Sequence, residues 1–323
     1  MYHAHFALRE EPFGVSPDSR FFFETAQHRE AIATLDYAIR QRRGFALLTG
    51  RAGLGKTSVL VQLLKRLEGQ AETAYLPHPY FDRSTVLESI LISLGLESTP
   101  SPAQNYRRFY EYLTKTHRTG KTCVVIFDEA QDLNRDTLEA IRMLSNFETP
   151  AEKLVQIVLA GQPRLAETLK QPDCEQIRQR LNMIARLTPL DRREVQDYIA
   201  HRLKTAGTSA SLFAPDAIQA IASASDGVPR NVNTICFNSL TLAYALNHGR
   251  VGREEIVETL RDLDLTVDDS LTQNASVPAP APFPHSIGAF AQASRSLRPA
   301  FIAATVVLLA AGTLLLQSLS GAF

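Results

Sequence analysis

Up to about residue 265 the chain alternates short apolar runs with segments whose apolar positions recur every three or four residues. Phe45 to Thr49 (FALLT) is apolar until its last residue and leads into a glycine-rich loop, the pattern of a buried strand. Thr57 to Leu67 follows with Val59, Leu60, Leu63, Leu64 and Leu67 on one helical face. Thr73 to Leu76 predicts a second strand, and Thr85 to Leu94 a helix with Val86, Leu87, Ile90, Leu91 and Leu94 turned inward. Thr122 to Phe127 (TCVVIF) reads as a third strand, Leu154 to Leu159 (LVQIVL) as a fourth and Met183 to Leu187 as a short fifth. Continuous apolar strands separated by helices predict a parallel sheet covered on both faces. Beyond Pro189 only helical periods remain. Asp191 and Glu194 stand at capping-box spacing ahead of Val195, Tyr198, Ile199 and Leu203, and Pro215 to Ala224, Asn231 to Leu246 and Arg253 to Leu263 complete the set. The expected organisation is an α/β core over residues 1–189 and a helical lid over residues 190–265.

The pattern changes again after the lid. Residues 266–298 include VPAPAPFP (Val277 to Pro284), followed by Gly, Ser and Gln with little periodicity, and read as an extended linker. Ala300 to Leu316 (AFIAATVVLLAAGTLLL) carries no charge, and continuing to Leu319 brings it to spanning length. A transmembrane helix is therefore expected over residues 299–319, with a short tail at 320–323. Arg295 and Arg298 precede the run and no Lys or Arg follows it, which places the bulk of the protein in the cytoplasm, on the inner face of the membrane. The N-terminal stretch Met1 to Phe13 mixes polar and aromatic residues and has no apolar core of a secretion signal.

Composition adds two constraints. An apolar fraction of 45% and a charged fraction of 21% fit a chain with a real core. Lys+Arg and Asp+Glu both number 34, so nucleic acid is not expected as the main partner, although a local basic patch is compatible with this balance. Cys123, Cys174 and Cys236 are isolated and odd in number, so they read as buried free thiols in a reducing compartment rather than as metal ligands or disulfides.

The loop after the first strand carries the chemistry. Gly50-Arg51-Ala52-Gly53-Leu54-Gly55-Lys56-Thr57, with Ser58 next along the helix, fits G-x-x-x-x-G-K-[ST] between a buried strand and an amphipathic helix. Its glycines let backbone N–H groups turn onto phosphates and the helix presents its positive end. Lys56 is expected on the β- and γ-phosphates of ATP, and Thr57 on Mg²⁺. Asp128-Glu129 closes TCVVIF at the tip of a central strand, facing the same crevice. There Asp128 would hold Mg²⁺ and Glu129 would act as general base on the attacking water.

These motifs, in this order, resemble the AAA+ superfamily. The wording of EEPFGVSPDSRFFF (Glu10 to Phe23), HREAIATLDYAIRQRRGFALLTGRAGLGKT (His28 to Thr57), VVIFDEAQDL (Val124 to Leu133), LAGQPRL (Leu159 to Leu165), QRL with ARLTPL (Gln179 to Leu190) and DGVPRNVN (Asp226 to Asn233) is similar to the ExeA/GspA-like ATPases of general secretion and their relatives in pilus and exopolysaccharide assembly. The resemblance covers nearly all of residues 1–265. It implies an AAA+ P-loop NTPase fold, with a five-stranded parallel sheet and an α-helical lid. It implies further roles: Gln162 at the sensor-1 position, where many AAA+ proteins have Asn; Arg180, with Arg178 as rival, as an arginine finger on a neighbouring subunit's ATP; and Arg230 as the lid's sensor 2. It also implies a homo-oligomer and envelope secretion or assembly proteins as partners. Fuller members carry a periplasmic peptidoglycan-binding domain after the membrane helix; only about seven residues follow Leu316 here, so cell-wall binding is not carried over.

Phe13 and the segment before His28 are candidates to cover the adenine or, equally, to seal an edge of the core; His28, at a helix start, reads as structural. Three other functions share parts of this pattern. A DNA-handling AAA+ ATPase of the transposition or replication type would need a basic patch or a DNA-binding appendage. A DExx helicase would need a second RecA-like domain where the lid reads. A non-hydrolysing nucleotide switch would differ mainly at Gln162 and Arg180.

Overall fold

The computed structural model describes residues 2–14, 18–78 and 81–264. The expected linker, transmembrane helix and terminal tail lie outside the described residues. Among the described residues no helix is long and apolar enough to cross a membrane.

Five strands, β1 (Phe45–Thr49), β2 (Ala71–Leu76), β3 (Thr122–Phe127), β4 (Val155–Gly161) and β5 (Leu181–Arg186), form one parallel sheet in the order β2-β3-β4-β1-β5. All five expected strands are present; β2 and β5 begin two residues earlier than the apolar pattern marks, and β4 extends two residues further to Gly161. Among the described residues twelve helices accompany them: α1 (Tyr2–His5), α2 (Ala26–Arg40), α3 (Lys56–Leu67), α4 (Val86–Ser93), α5 (Pro102–Arg118), α6 (Arg135–Leu144), α7 (Pro163–Thr168), α8 (Glu175–Arg178), α9 (Arg192–Thr205), α10 (Pro215–Ala224), α11 (Pro229–Ala245) and α12 (Arg253–Asp262).

The period of two along each strand divides the core. Phe45 and Leu47 of β1, Val125 and Phe127 of β3, and Ile157 and Leu159 of β4 face one side, where they pack with Ile90 and Leu91 of α4, Phe109 and Leu113 of α5, and Leu138 and Ile141 of α6. Ala46, Leu48, Val124, Ile126, Val158 and Ala160 face the other side and meet Ile32, Leu35 and Ile39 of α2 and Val59, Leu60 and Leu63 of α3. Each Leu or Phe fully withdrawn from water in these layers contributes about 1.5–3 kcal/mol. A sheet covered twice has its functional groups at the strand ends, and here the carboxyl ends of β1, β3 and β4 converge.

The lid has its own core, built from Val195, Ile199 and Leu203 of α9, Ile221 of α10, Ile235 and Leu240 of α11, and Ile256 and Leu260 of α12. The Asp191/Glu194 capping box forms as the spacing predicted, with Asp191 Oδ1 accepting from Glu194 N at 2.8 Å and Glu194 Oε2 accepting from Asp191 N at 3.0 Å. The first residues differ from the expected division at 189. Phe6, Leu8, Phe13 and Phe21 are buried in the lid core, not against the sheet. The chain therefore starts on the lid and crosses to the sheet through α2.

Candidate functional site

β1 delivers the chain to the phosphate loop at its carboxyl end. Gly50 N–H still donates to the Gly161 carbonyl at 3.2 Å, tying the loop's start to β4. The loop then turns through Gly53 (φ +81°) and Gly55 (φ +89°) into α3. Gly55 occupies the N-cap of α3 and no side chain caps that end, so its first-turn N–H groups remain to receive an anion. Lys56 is 5% exposed. Its ammonium donates to the carbonyls of Gly50 (3.1 Å) and Arg51 (3.4 Å), leaving one donor for a phosphate. Burial lowers its pKa, while the carboxylates of Glu129 and Asp128 push it back up.

Asp128, 2% exposed, sits directly across from this loop. Its Oδ2 accepts from Thr57 Oγ1 at 2.7 Å and from the Tyr75 hydroxyl at 3.1 Å, and its Oδ1 accepts from Glu129 N at 2.9 Å. The two residues expected to hold Mg²⁺, Thr57 and Asp128, are thus within bonding distance of each other at the mouth of β3. The oxygen donors, hard and partly anionic, suit that ion. Burial, reinforced by Asp128, raises the pKa of the Tyr75 phenol and keeps it a hydrogen-bond donor.

Glu129 adopts φ +51°, a left-handed conformation that costs a non-glycine residue roughly 1–2 kcal/mol. Its carboxylate accepts from Gln131 Nε2 at 2.7 Å and borders the cleft.

The lid closes the cleft from the opposite side. Arg230, in the first turn of α11, lines the cleft; its N–H donates to the Gly53 carbonyl at 3.4 Å. Gly53 has no room for a side chain, because a Cβ there would lie 2.8 Å from Arg230 Cβ and 2.9 Å from Val228 Cγ1. Gly53→Ala should therefore push the lid off the loop as well as strain the backbone. We expect a Tm lower by at least about 2–4 °C for each kcal/mol lost, with weakened nucleotide binding; a thermal melt and a nucleotide titration check both. Arg51 reaches Asp226 of the lid only at 3.8 Å, with both side chains exposed, so this pair contributes little. Ala52 is exposed, Leu54 is buried under the loop, and Ser58 lines the cleft beside Thr57.

The cleft, about 380 Å³, extends from Thr57 to an aromatic end formed by Phe21, Phe22, Phe23 and Tyr198. Phe13 is not part of it. That residue is 1% exposed and packs edge-on against Phe213 at 6.0 Å, so of the two readings of Phe13 the sealing one holds, in the lid core. Phe21 to Phe23 are the aromatics placed where a base could stack. Arg202 stands behind them, its guanidinium 4.9 Å from the Phe21 ring centroid, donating to the Tyr198 hydroxyl at 3.0 Å; that hydroxyl in turn donates to Asn233 Oδ1 at 2.9 Å.

His28 is structural in the sense expected, but it supports the phosphate loop directly. Its Nδ1 accepts from Thr25 N (3.3 Å) in a capping box, and Nε2 faces the Leu54 carbonyl at 3.4 Å. Burial lowers its pKa, favouring the neutral ring.

Two expected site residues stand apart from this cleft. Gln162 occupies the N-cap position of α7 beyond β4 without a side-chain capping bond, and its backbone N–H donates to Gln131 Oε1 at 2.9 Å; its side chain does not line the cleft. Arg180 precedes β5 and donates to the Arg142 carbonyl at 3.2 Å and to Ser145 Oγ, within its own chain. Arg178 is exposed and 3.4 Å from Glu175. Sequence patterns assign no site role to Tyr75 or Arg202, which belong to no short motif, nor to Gln131 or Tyr198, which stand only within VVIFDEAQDL and on a helix face; all four reach the site through folding.

Fold and site together define a P-loop nucleotide-binding protein of the AAA+ class. Residues 39–169 match the AAA domain family model. The chain is 36% identical over 258 residues to General secretion pathway protein A of Aeromonas hydrophila, covering 79% of this chain and 47% of that protein. It is a GspA-like AAA+ protein, and it spans just under half the length of that relative. An uncharacterized HTH-type transcriptional regulator of Methanocaldococcus jannaschii is 26% identical over 51% of this chain and 41% of its own length. Among solved structures, Cdc6p from Pyrobaculum aerophilum superposes with a TM-score of 0.62 at 18% identity, covering 81% of this chain and 73% of that one. The Thermotoga maritima RuvB Holliday junction branch migration motor superposes with a TM-score of 0.54 at 18% identity, covering 77% and 72%. At these identities the likeness is one of fold.

Proposed function

We propose that this chain binds ATP with Mg²⁺ between the phosphate loop and the lid and hydrolyses it. The observation that carries the reading is the convergence of Lys56, Thr57 and Glu129 on one cleft, with Asp128 bonded to Thr57 behind its wall and the lid residue Arg230 on the far side. The loop N–H groups and Lys56 bind the β- and γ-phosphates. Thr57 and Asp128 are the residues that would hold Mg²⁺, which supplies charge neutralisation on the β- and γ-oxygens when bound. Glu129 orients and deprotonates the attacking water. Arg230 touches the γ-phosphate from the lid, so hydrolysis removes one of the contacts that hold the lid closed. Gln162 is proposed to orient water from the end of β4.

Arg180 is proposed to act on the ATP of a neighbouring subunit, with Arg178 as its rival. In that role it would exchange its bonds to Arg142 and Ser145 for the phosphate of the next subunit. Phosphate release per subunit, measured against protein concentration, tests this. A steep rise with concentration, lost in Arg180→Ala, is the expected result, whereas concentration-independent turnover would remove Arg180 from the mechanism.

The kinship to General secretion pathway protein A favours a role in a cell-envelope secretion or assembly machine, with the energy of hydrolysis spent on assembling or gating it. The uncharged run Ala300 to Leu316 is proposed to hold the motor at the inner membrane, with the ATPase domain in the cytoplasm. Fractionation of cells expressing the full chain and a version ending at residue 298 tests this: the full chain should pellet with membranes, and equal distribution of both would contradict the anchor.

A further inference from the structure

We propose that Gln131 is a positioning residue for Glu129, fixing the water-activating carboxylate in the cleft and coupling it to the junction of β4 and α7. This rests on Glu129 being the general base. Gln131 lies in a single 3₁₀ turn, Ala130–Asp132, that follows the acidic pair. Its amide is committed on both sides. Nε2 donates to Glu129 Oε2 at 2.7 Å and to Asp132 Oδ2 at 3.0 Å, while Oε1 accepts from Gln162 N at 2.9 Å. One planar amide therefore spans from the proposed base to the backbone at the end of β4.

A glycine is required beside it on β4. A Cβ at Gly161 would lie 2.8 Å from Gln131 Oε1 and 3.2 Å from Gln131 N. Gly161 is the last residue of β4, so the glutamine side chain occupies the volume that any larger residue there would take. Asp132, which shares the same amide nitrogen, is ion-paired with Arg164 on α7. The turn between β4 and α7 is thus linked twice to the segment carrying Glu129, once through Gln162 N and once through Arg164.

The physical consequence follows from the backbone of Glu129. A residue at φ +51° is held there by its surroundings and not by its own preference. With the Gln131 amide bound, its carboxylate has one defined location on the cleft wall. Without that donor the side chain can rotate, and misplacement of a base by about 1 Å can cost up to about a hundredfold in rate. Substrate binding does not depend on this bond, because the phosphate-binding groups lie on the loop and on α3. A positioning role therefore lowers kcat and leaves KM alone, whereas a merely structural role would lower stability and affinity together.

The test compares wild type, Glu129→Gln and Gln131→Met in steady-state ATP turnover with saturating Mg²⁺, together with thermal melts. Methionine keeps the length and apolar contacts of glutamine and removes all three hydrogen bonds. The expected result is a kcat lower by about tenfold or more with KM for ATP changed by less than about twofold. Should Gln131→Met fail to fold, Gln131→Ala at this half-buried position gives the same reading. Wild-type kcat in the Gln131 variant, with Glu129→Gln inactive, overturns the positioning role alone. Wild-type turnover by Glu129→Gln overturns the base and this proposal together. A loss in KM equal to the loss in kcat also overturns it.

Discussion

Glu129→Gln should bind ATP as tightly as the wild type and fail to turn it over, with phosphate release lower by about 10²–10⁴-fold. The substitution keeps the size and shape of the side chain and its place beside Gln131, but an amide cannot take a proton from water. The contacts that hold nucleotide are untouched: Lys56 remains bound to the Gly50 and Arg51 carbonyls, and Thr57 remains on Asp128. Binding of a fluorescent nucleotide and release of phosphate, measured on the same preparation, separate the two effects. Full turnover by the variant would remove Glu129 from the chemistry.

Lys56→Ala should have the opposite signature, losing binding itself. The ammonium is buried and already desolvated, so its attraction for phosphate is not dissipated in water. The one ammonium N–H not bonded to a carbonyl makes a charge-assisted hydrogen bond to phosphate that contributes roughly 1.5–3 kcal/mol, which is about tenfold to a hundredfold in affinity. The substitution also leaves the Gly50 and Arg51 carbonyls without their donor and removes a cation that interacts with Asp128 and Glu129. A nucleotide titration monitored by calorimetry or fluorescence reads the loss. Retained binding would place the phosphates elsewhere.

The fold was legible where burial leaves a period. The three central strands coincide with apolar runs because a parallel sheet covered on both faces excludes polar residues that lack partners; Gln156 in β4 is buried, but its amide accepts from Gly44 N and donates to the Lys153 carbonyl. Helix α5 escaped notice because, of its seventeen residues, only Asn105, Phe109, Leu113 and Thr116 are buried, and two of those are polar. The membership of the N-terminal segment was hidden for a different reason. Phe6, Leu8, Phe13 and Phe21 lie in loops and a single turn, where no period shows which core they join, and their partners are nearly two hundred residues away. Their allegiance is decided by tertiary packing alone.

The site divides in the same way. The loop, Asp128 and Glu129 were readable because their chemistry is carried by residues adjacent in sequence, each following a strand. Arg230 was readable only through resemblance, and its contact with Gly53 confirms the meeting of lid and loop without fixing its role. Tyr75 and Gln131 reach Asp128 and Gln162 across 53 and 31 residues, distances over which no local spacing rule operates. Tyr75 donates to the same carboxylate oxygen as Thr57, so the phenol and the threonine together set the direction in which Asp128 faces.

The central claim is that loop, acidic pair and lid form one ATP site. The measurement that tests it most directly is a crystal structure of Glu129→Gln with ATP and Mg²⁺. The account predicts the triphosphate lying over Gly53 to Thr57, the metal between Thr57 and Asp128, and the Arg230 guanidinium within hydrogen-bonding distance of the γ-phosphate. A triphosphate bound away from this loop, or an Arg230 turned from it with nucleotide in place, would contradict it.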